Sequence, residues 1–445
     1  MLRSISPIDG RYAKTTKPLS DFFSEYALIR YRVLIEIKYF EALCKADVPQ
    51  LKGAIPHLDV FNILLENFSE TDAGEIKDIE SITNHDVKAV EYFIKEKLEN
   101  TPLETFREFV HFGLTSQDIN NTAQPLALLE SSIKVLFPAL DNLIELLDQK
   151  SVTWLHTPLL AHTHGQPASP TTLGKEIKVF VERIKGQYKL LKDTPITAKF
   201  GGATGNFNAH HIAFPGIDWH EFGDHFVSSL GLQRIKWTTQ IEPYDYLAAY
   251  CHAIIRINSI LIDFCRDVWM YISMQFIKQR VIANEVGSSA MPHKVNPIDF
   301  ENAEGNLGVA NALFDHFALK LPLSRLQRDL TDSTVLRNLG VPIAHTLISI
   351  NSICRGLSKI DINVSVLSAS LEANWAVLAE AIQTILRREG IKNSYELLKD
   401  LTRGKAEITK SDIQSFVQGL PVGEKIKEEL LKITPHNYTG QFPKD

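Results

Sequence analysis

The stretch from Gly287 to Glu301 reads Gly-Ser-Ser-Ala-Met-Pro-His-Lys-Val-Asn-Pro-Ile-Asp-Phe-Glu. Gly287, Ser288 and Ser289 are small and suit no regular element, so they predict a loop. Asn296 and Pro297 predict the cap and first turn of a helix, with Asp299 and Glu301 near its start. Two hydroxyls and the Lys294 ammonium then lie close to a positive helix end. Such a place suits an anion, or a serine that must lose its proton. A well-capped helix after a loop accounts for Asn-Pro alone. It does not account for the serines, Met291 and Lys294 together.

Three further constellations carry polar chemistry. In Ala161-His162-Thr163-His164-Gly165-Gln166-Pro167-Ala168, the Gly and Pro force a turn that exposes His164. Histidine is the natural proton donor near neutral pH, although a loop histidine is also often bonded only to backbone. Arg325 to Arg337 interleaves Arg325, Arg328 and Arg337 with Ser333 and Thr334. That pattern suits a carboxylate or phosphate clamp, and a solvated stretch of local ion pairs reads similarly. Thr115 and Ser116 precede a helix, where they predict either an anion site or plain N-capping. Asn84, His85, Asp86 and Gln240 are weaker signals taken singly.

Together these groups offer Arg, Lys, hydroxyl and helix-end donors to a multiply anionic small molecule. There is no nucleotide-type Gly-rich fingerprint, no Cys-x-x-Cys and no His-Glu-x-x-His among the 15 histidines. Neither a metal nor a cofactor is therefore expected. Proton abstraction next to a carboxylate, with a histidine protonating the leaving group, fits better than hydride or phosphoryl transfer.

The elements that must position these groups are helical. At 445 residues the chain exceeds the roughly 250–300 residues that one core usually serves. We divide it into residues 1–104, 105–355 and 356–445, with Thr101-Pro102 near the first boundary. From Ser20 a long helix is predicted, with Phe23, Tyr26, Ile29, Val33, Ile37, Phe40 and Cys44 on one face. Asn84 is expected to cap the helix carrying Val87, Val90 and Phe93. Residues 117–150, 170–193, 243–276 and 297–320 predict long helices, the first interrupted at Pro125 and Pro138. Within 243–276, Leu247, Tyr250, Ile254, Ile257, Leu261, Phe264, Val268 and Tyr271 form a heptad seam. A second seam runs through Cys251, Ile255, Asn258, Ile262, Cys265, Trp269 and Ile272. Only His252, Arg256, Ser259, Asp263 and Arg266 form a polar stripe. This helix therefore belongs in the middle of a bundle, and one shared between subunits is expected. Shorter helices are predicted from Leu371 to Arg388 and from Tyr395 to Leu401.

A net charge of −6 is mild and argues against a general nucleic-acid or membrane surface. No apolar run approaches the ~18 residues of a membrane span. The four scattered cysteines and an N-terminus without a signal-type apolar core lead us to expect a cytoplasmic protein.

The segment Gly287–Pro297 meets every fixed position of the fumarase/aspartase superfamily signature, and Thr163–Ala168 and Thr115-Ser116 resemble its two other shared regions. Within that superfamily the chain resembles the bacterial adenylosuccinate lyase family. The matching stretches are Ser6–Tyr12, Asn84–Glu91, Gly205–His210, Thr238–Pro243 and Gln327–Ser333, and the resemblance runs from residue 4 to about 440. It implies an all-α chain of three helical domains, with a central long-helix bundle pooled in a homotetramer. Active sites would be built from loops of three subunits. It implies β-elimination of fumarate from adenylosuccinate and from the succinyl-carboxamide ribotide SAICAR. By the same resemblance, Ser288 is the base and His164 the acid, with Ser289, Lys294 and Asn302 near the developing carbanion. Thr115, Ser116 and Gln240 would hold the succinyl end or ring. Arg11, Tyr12, Arg328, Ser333, Thr334 and Arg337 would hold phosphate and sugar, with Asn84, His85 and Asp86 lining the pocket. Another lyase of the superfamily, such as one acting on argininosuccinate, is the alternative.

Overall fold

The computed structural model describes residues 2–280, 291, 294–402 and 408–443. Among these the chain is all-α, and strands occur only as four short two-stranded pairs. The chain divides into two compact units. One comprises Met1–Asp141, Gln187–Ser259 and Gly305–Asn351, and the other Asn142–Gly186, Ile260–Glu304 and Ser352–Asp445.

In the first unit, the long helix predicted from Ser20 is split. Ser24 has extended backbone and accepts the Ala27 N–H at 3.1 Å, so it caps a new helix, Glu25–Lys45, rather than continuing the turn before it. Ile29, Val33, Ile37, Phe40 and Cys44 are buried as their spacing requires, and Tyr31, Ile35 and Tyr39 are buried as well. The same core takes in Phe61, Phe93, Phe200 and Trp219. Asn84 does not cap the following helix. It adopts the left-handed conformation, φ 52°, and ends the helix Glu70–Thr83, as asparagine tolerates. His85 is the cap of Asp86–Lys97, its Nδ1 accepting the Lys88 N–H at 3.1 Å.

Of the two expected proline breaks, only the one near Pro138 occurs; the helix continues through Pro125. Pro125 lies inside the helix Ser116–Ser131 and has no N–H to give the Asn121 carbonyl. That carbonyl instead accepts the backbone N–H of Lys199 at 3.3 Å. The break near Pro138 is a π-helical turn, Ser132–Leu136, immediately ahead of Phe137-Pro138.

The helix Asp245–Ser273 buries most of its first seam, including Tyr250, Ile254, Ile257, Leu261, Phe264 and Val268. Of the second seam, Cys251, Asn258 and Cys265 are buried while Trp269 is 46% exposed. The five polar-stripe residues all face solvent. By length and composition this helix could cross a membrane, but half of its most apolar window is buried within the protein. Asn258 fixes its register, donating to Asn311 Oδ1 at 3.0 Å and Thr346 Oγ1 at 3.1 Å.

The second unit has its own cluster of Trp375, Leu378, Ile382, Leu386 and Val417. The helix expected from Leu371 to Arg388 is interrupted. Asn374 donates to the Ser370 carbonyl at 2.8 Å, and the chain turns through Trp375–Leu378 before Ala379–Arg388.

Candidate active site

His164 stands at the tip of a minimal β-hairpin in the second unit. His162–Thr163 pairs antiparallel with Gln166–Pro167, and the Ala168 N–H closes the stem on the Ala161 carbonyl at 2.8 Å. The two turn residues, His164 and Gly165, have φ of 54° and 73°. A two-residue turn with both φ positive matches the twist of a hairpin, and glycine makes the second position cheap. The imidazole is therefore presented to solvent rather than folded onto backbone. Outside this hairpin, Pro158–Leu159 pairs with Thr171–Thr172.

Ser288 and Ser289 lie outside the described residues, but the chain on both sides of them is anchored to one place. Before them, the Arg280 N–H donates to the Lys359 carbonyl at 2.7 Å, and its guanidinium pairs with Asp361 at 2.9 Å. After them, buried Asp299 takes Arg355 at 2.6 Å and Lys359 at 3.2 Å. Gln279 joins the two sides by donating to the Val295 carbonyl at 2.8 Å. The helix is Ile298–Lys320, and the Pro297 carbonyl accepts from Phe300 and Glu301. Pro297 thus occupies the capping position predicted for Asn296, one residue off. Lys294 is exposed, and Asn302 is half-buried early in that helix.

In the first unit, Thr115 and Ser116 do start a helix, Ser116–Ser131. The Thr115 N–H donates to Asp118 Oδ2 at 2.9 Å. The other oxygen of Asp118 accepts Lys199 Nζ at 2.7 Å and the N–H groups of Gly201 and Gly202 at 2.8 and 3.1 Å. Asp118 and Lys199 are fully buried. Burial pushes the Lys199 ammonium below its ordinary pKa, and Asp118 offsets this only in part.

Gln240 meets Arg328, and through it Ser333, two residues that the resemblance assigns to a different part of the substrate. Arg328 donates from Nη1 to Gln240 Oε1 at 3.1 Å and from Nη2 to Ser333 Oγ at 3.3 Å. Gln117 reaches Asp332 Oδ2 at 3.4 Å, and the Tyr244 hydroxyl donates to the same oxygen at 2.9 Å. Two buried atoms of this cluster have no hydrogen bond, the donor Arg328 Nε and the acceptor Gln117 Oε1. A buried polar atom without a hydrogen bond costs about 1–3 kcal/mol, and Arg328 Nε has only the Asp332 carboxylate at 4.0 Å to offset that cost.

Asp86 and Arg337 also meet. Asp86 Oδ2 accepts buried Arg32 at 2.6 Å and Arg337 at 3.2 Å, and Arg337 reaches Glu25 at 3.2 Å. Burial would raise the Asp86 pKa, but Arg32, the Val87 N–H and Arg337 together hold it below the ordinary range. Asn84 and His85 are exposed beside it. Arg11 is exposed with its guanidinium 5.9 Å from the Tyr12 ring centroid, and Thr334 is exposed on the helix Thr331–Leu336.

Several buried polar groups had no signal in the sequence. Glu36 holds His111 at 2.6 Å. Burial alone would lower the His111 pKa, but the Glu36 carboxylate outweighs it and the pKa is raised. His210 accepts or donates to the Tyr39 hydroxyl at 2.9 Å, and burial lowers its pKa to about 4. Glu242 accepts Thr197 Oγ1 at 2.9 Å and also the Tyr244 N–H, yet burial raises its pKa to about 7.

Similarity to known proteins defines the class first. Residues 10–311 match the family model described as Lyase. Two solved structures share the fold. The 3-carboxy-cis,cis-muconate lactonizing enzyme from Pseudomonas putida has a TM-score of 0.75 at 19% identity, covering 96% of this chain and 94% of its own. A fumarate lyase from Mesorhizobium sp. BNC1 has a TM-score of 0.76 at 15% identity, covering 95% of each. Residues 324–439 match the model described as Adenylosuccinate lyase C-terminal. The adenylosuccinate lyase of Dictyostelium discoideum is 56% identical, covering 99% of this chain and 97% of the relative. Those of Vibrio cholerae serotype O1 and Escherichia coli K12 are each 49% identical with the same coverage. The chain belongs to the adenylosuccinate lyase family.

Proposed function

We propose that this chain splits adenylosuccinate into AMP and fumarate, and SAICAR into AICAR and fumarate, by β-elimination of a C–N bond. The observation that carries the reading is the Arg328–Gln240–Ser333 cluster, in a chain about half identical to named adenylosuccinate lyases.

Ser288 takes the Cβ proton of the succinyl group. A serine hydroxyl is a weak base, so Lys294 and the helix end at Pro297 hold its alkoxide. The electron pair left on Cβ is delocalised into the adjacent carboxylate, where Lys294, Ser289 and Asn302 stabilise the added charge. The pair then forms the fumarate double bond as the C–N bond breaks, and His164 gives its proton to the departing nitrogen. Thr115, Ser116 and Gln240 hold the succinyl end or ring. Arg11, Tyr12, Arg328, Ser333, Thr334 and Arg337 hold phosphate and ribose, and Asn84, His85 and Asp86 line the same pocket. Three helical domains, a cytoplasmic homotetramer and sites assembled from three subunits belong to this reading. The exposed Trp269 and Met270 on the long helix support a bundle that continues into other subunits.

The test is to incubate the purified protein separately with adenylosuccinate, argininosuccinate and malate, following fumarate and the second product. Turnover of adenylosuccinate supports the reading. No turnover of it, with clear turnover of either other compound, overturns it.

A further inference from the structure

We infer that the C-terminal tail positions His164, through Glu380 and Tyr438, by bracing the stem of the hairpin that carries it. The inference rests on the assignment of His164 as the acid. A short hairpin exposed at its tip has little packing of its own, so its aim depends on its stem. The chain leading into and out of the stem is held by residues remote in sequence. On one side, Ser169, directly after the Ala161–Ala168 closure, donates its hydroxyl to Glu380 Oε2. The Tyr438 hydroxyl donates to that same oxygen at 2.9 Å. Glu380 lies in the first turn of the helix Ala379–Arg388, and carboxylates there are favoured by the helix end. On the other side, the Phe442 ring lies 6.1 Å from the ring of His156, just before the strand Pro158–Leu159.

The tail itself is built to hold Tyr438 in place. Asn437 and Tyr438 both donate backbone N–H groups to the Thr434 carbonyl, and Asn437 Oδ1 accepts the Thr434 N–H at 2.8 Å. His436 approaches Glu372 at 3.6 Å. Tyr438 also packs against the Trp375–Val417 core, so the brace is fastened to that core at one end and to Ser169 at the other. A single carboxylate oxygen taking two hydroxyl donors is an orienting arrangement, and neither donor is available to a substrate while it is so engaged.

Glu380→Ala, Tyr438→Phe and Ser169→Ala test this with adenylosuccinate as substrate. Loss of the brace should lower kcat of Glu380→Ala roughly tenfold or more, because small displacements of a reacting group are costly, and leave KM within about twofold. Each hydroxyl deletion should give a smaller loss of the same kind, and Glu380→Gln should recover part of it. In a His164→Gln background, Glu380→Ala should add nothing. Wild-type kcat in Glu380→Ala overturns the inference, as does a loss that multiplies with His164→Gln. If Glu380→Ala fails to fold, Tyr438→Phe and Ser169→Ala decide by the same criteria. A wild-type rate for His164→Gln would instead refute the acid assignment, whatever Glu380 does.

Discussion

Lys199 and Asp118 form a fully buried ion pair at 2.7 Å across 81 residues of sequence. It stands between two loops of the candidate site. Asp118 holds the Thr115 N–H with one oxygen and the Gly201 and Gly202 N–H groups with the other. Lys199 Nζ returns a bond to the Gly202 carbonyl at 2.5 Å. Removing one partner leaves the other charge buried alone, which costs about 3–5 kcal/mol. Lys199→Met should therefore be destabilised by about that much in urea unfolding, and Lys199→Met/Asp118→Asn should be less destabilised than Lys199→Met alone. A single-variant loss below about 1 kcal/mol would show that the pair does not hold these loops.

Arg328 offers a different test, because its role depends on geometry as well as charge. Its two Nη groups bond Gln240 and Ser333, and Nε, without a hydrogen bond, lies 4.0 Å from Asp332 Oδ1. Lysine keeps the charge but lacks the planar fork that reaches Gln240 and Ser333 from two separate nitrogens. Arg328→Lys should raise KM for adenylosuccinate by about tenfold or more, the scale of one lost charged hydrogen bond. Steady-state kinetics that give an unchanged KM would remove Arg328 from the binding site.

The sequence carried the fold class and most of the long helices, because helical periodicity is a local signal. The break near Pro138 falls where it was expected, while the helix passes unbroken through Pro125 and gives up only one hydrogen bond. The long-range contacts around these prolines were not legible. The carbonyl freed at Asn121 is used by Lys199, and nothing in either segment names the other. The same holds for Glu36 with His111 and for Asn121, Tyr244 and Asp332. The splits at Ser24 and Asn374 were hidden because a single side-chain bond to backbone overrode an unbroken apolar pattern.

Two of these hidden groups give the stability a defined pH dependence. Glu242 has a folded pKa of about 7 against an ordinary 4.5, raised by burial. His111, whose ordinary value is 6.5, is also raised, burial being outweighed by Glu36. A group with a raised folded pKa stabilises fully below its unfolded value, and that contribution is lost as pH rises through the folded value. Glu242 therefore weakens the fold between pH 4.5 and about 7, by at most about 3 kcal/mol at ~1.4 kcal/mol per unit. His111 adds a loss of the same sign above 6.5. Depressed carboxylates such as Asp86 act below pH 5 and leave this window untouched. His210, with a folded pKa of about 4 against an ordinary 6.5, acts with the opposite sign between those values and offsets Glu242 there. Unfolding midpoints should therefore fall mainly from about pH 6.5 to 8, with Glu242→Gln making them rise with pH below 6.5 and His111→Gln flattening the upper part. A slope that neither variant changes would refute the assignment.

The proposed division of labour between Ser288 and His164 is separable by pH and by reaction step. Ser288→Ala removes the group that takes the Cβ proton, so the variant should fold and bind adenylosuccinate while losing nearly all turnover. Proton exchange at Cβ in deuterated water should be lost with it. His164→Gln removes only the group that protonates the departing nitrogen. Its turnover should fall by roughly two to four orders of magnitude, the usual worth of a general acid, with substrate affinity kept. Because Ser288 is intact, it should retain Cβ exchange in excess of turnover. The exposed hairpin tip should let added imidazole restore part of the rate. Near-normal turnover by Ser288→Ala would remove it as the base. A wild-type rate in His164→Gln would move the acid to another histidine, with His111 held by Glu36 and His85 exposed beside Asp86 the next to substitute.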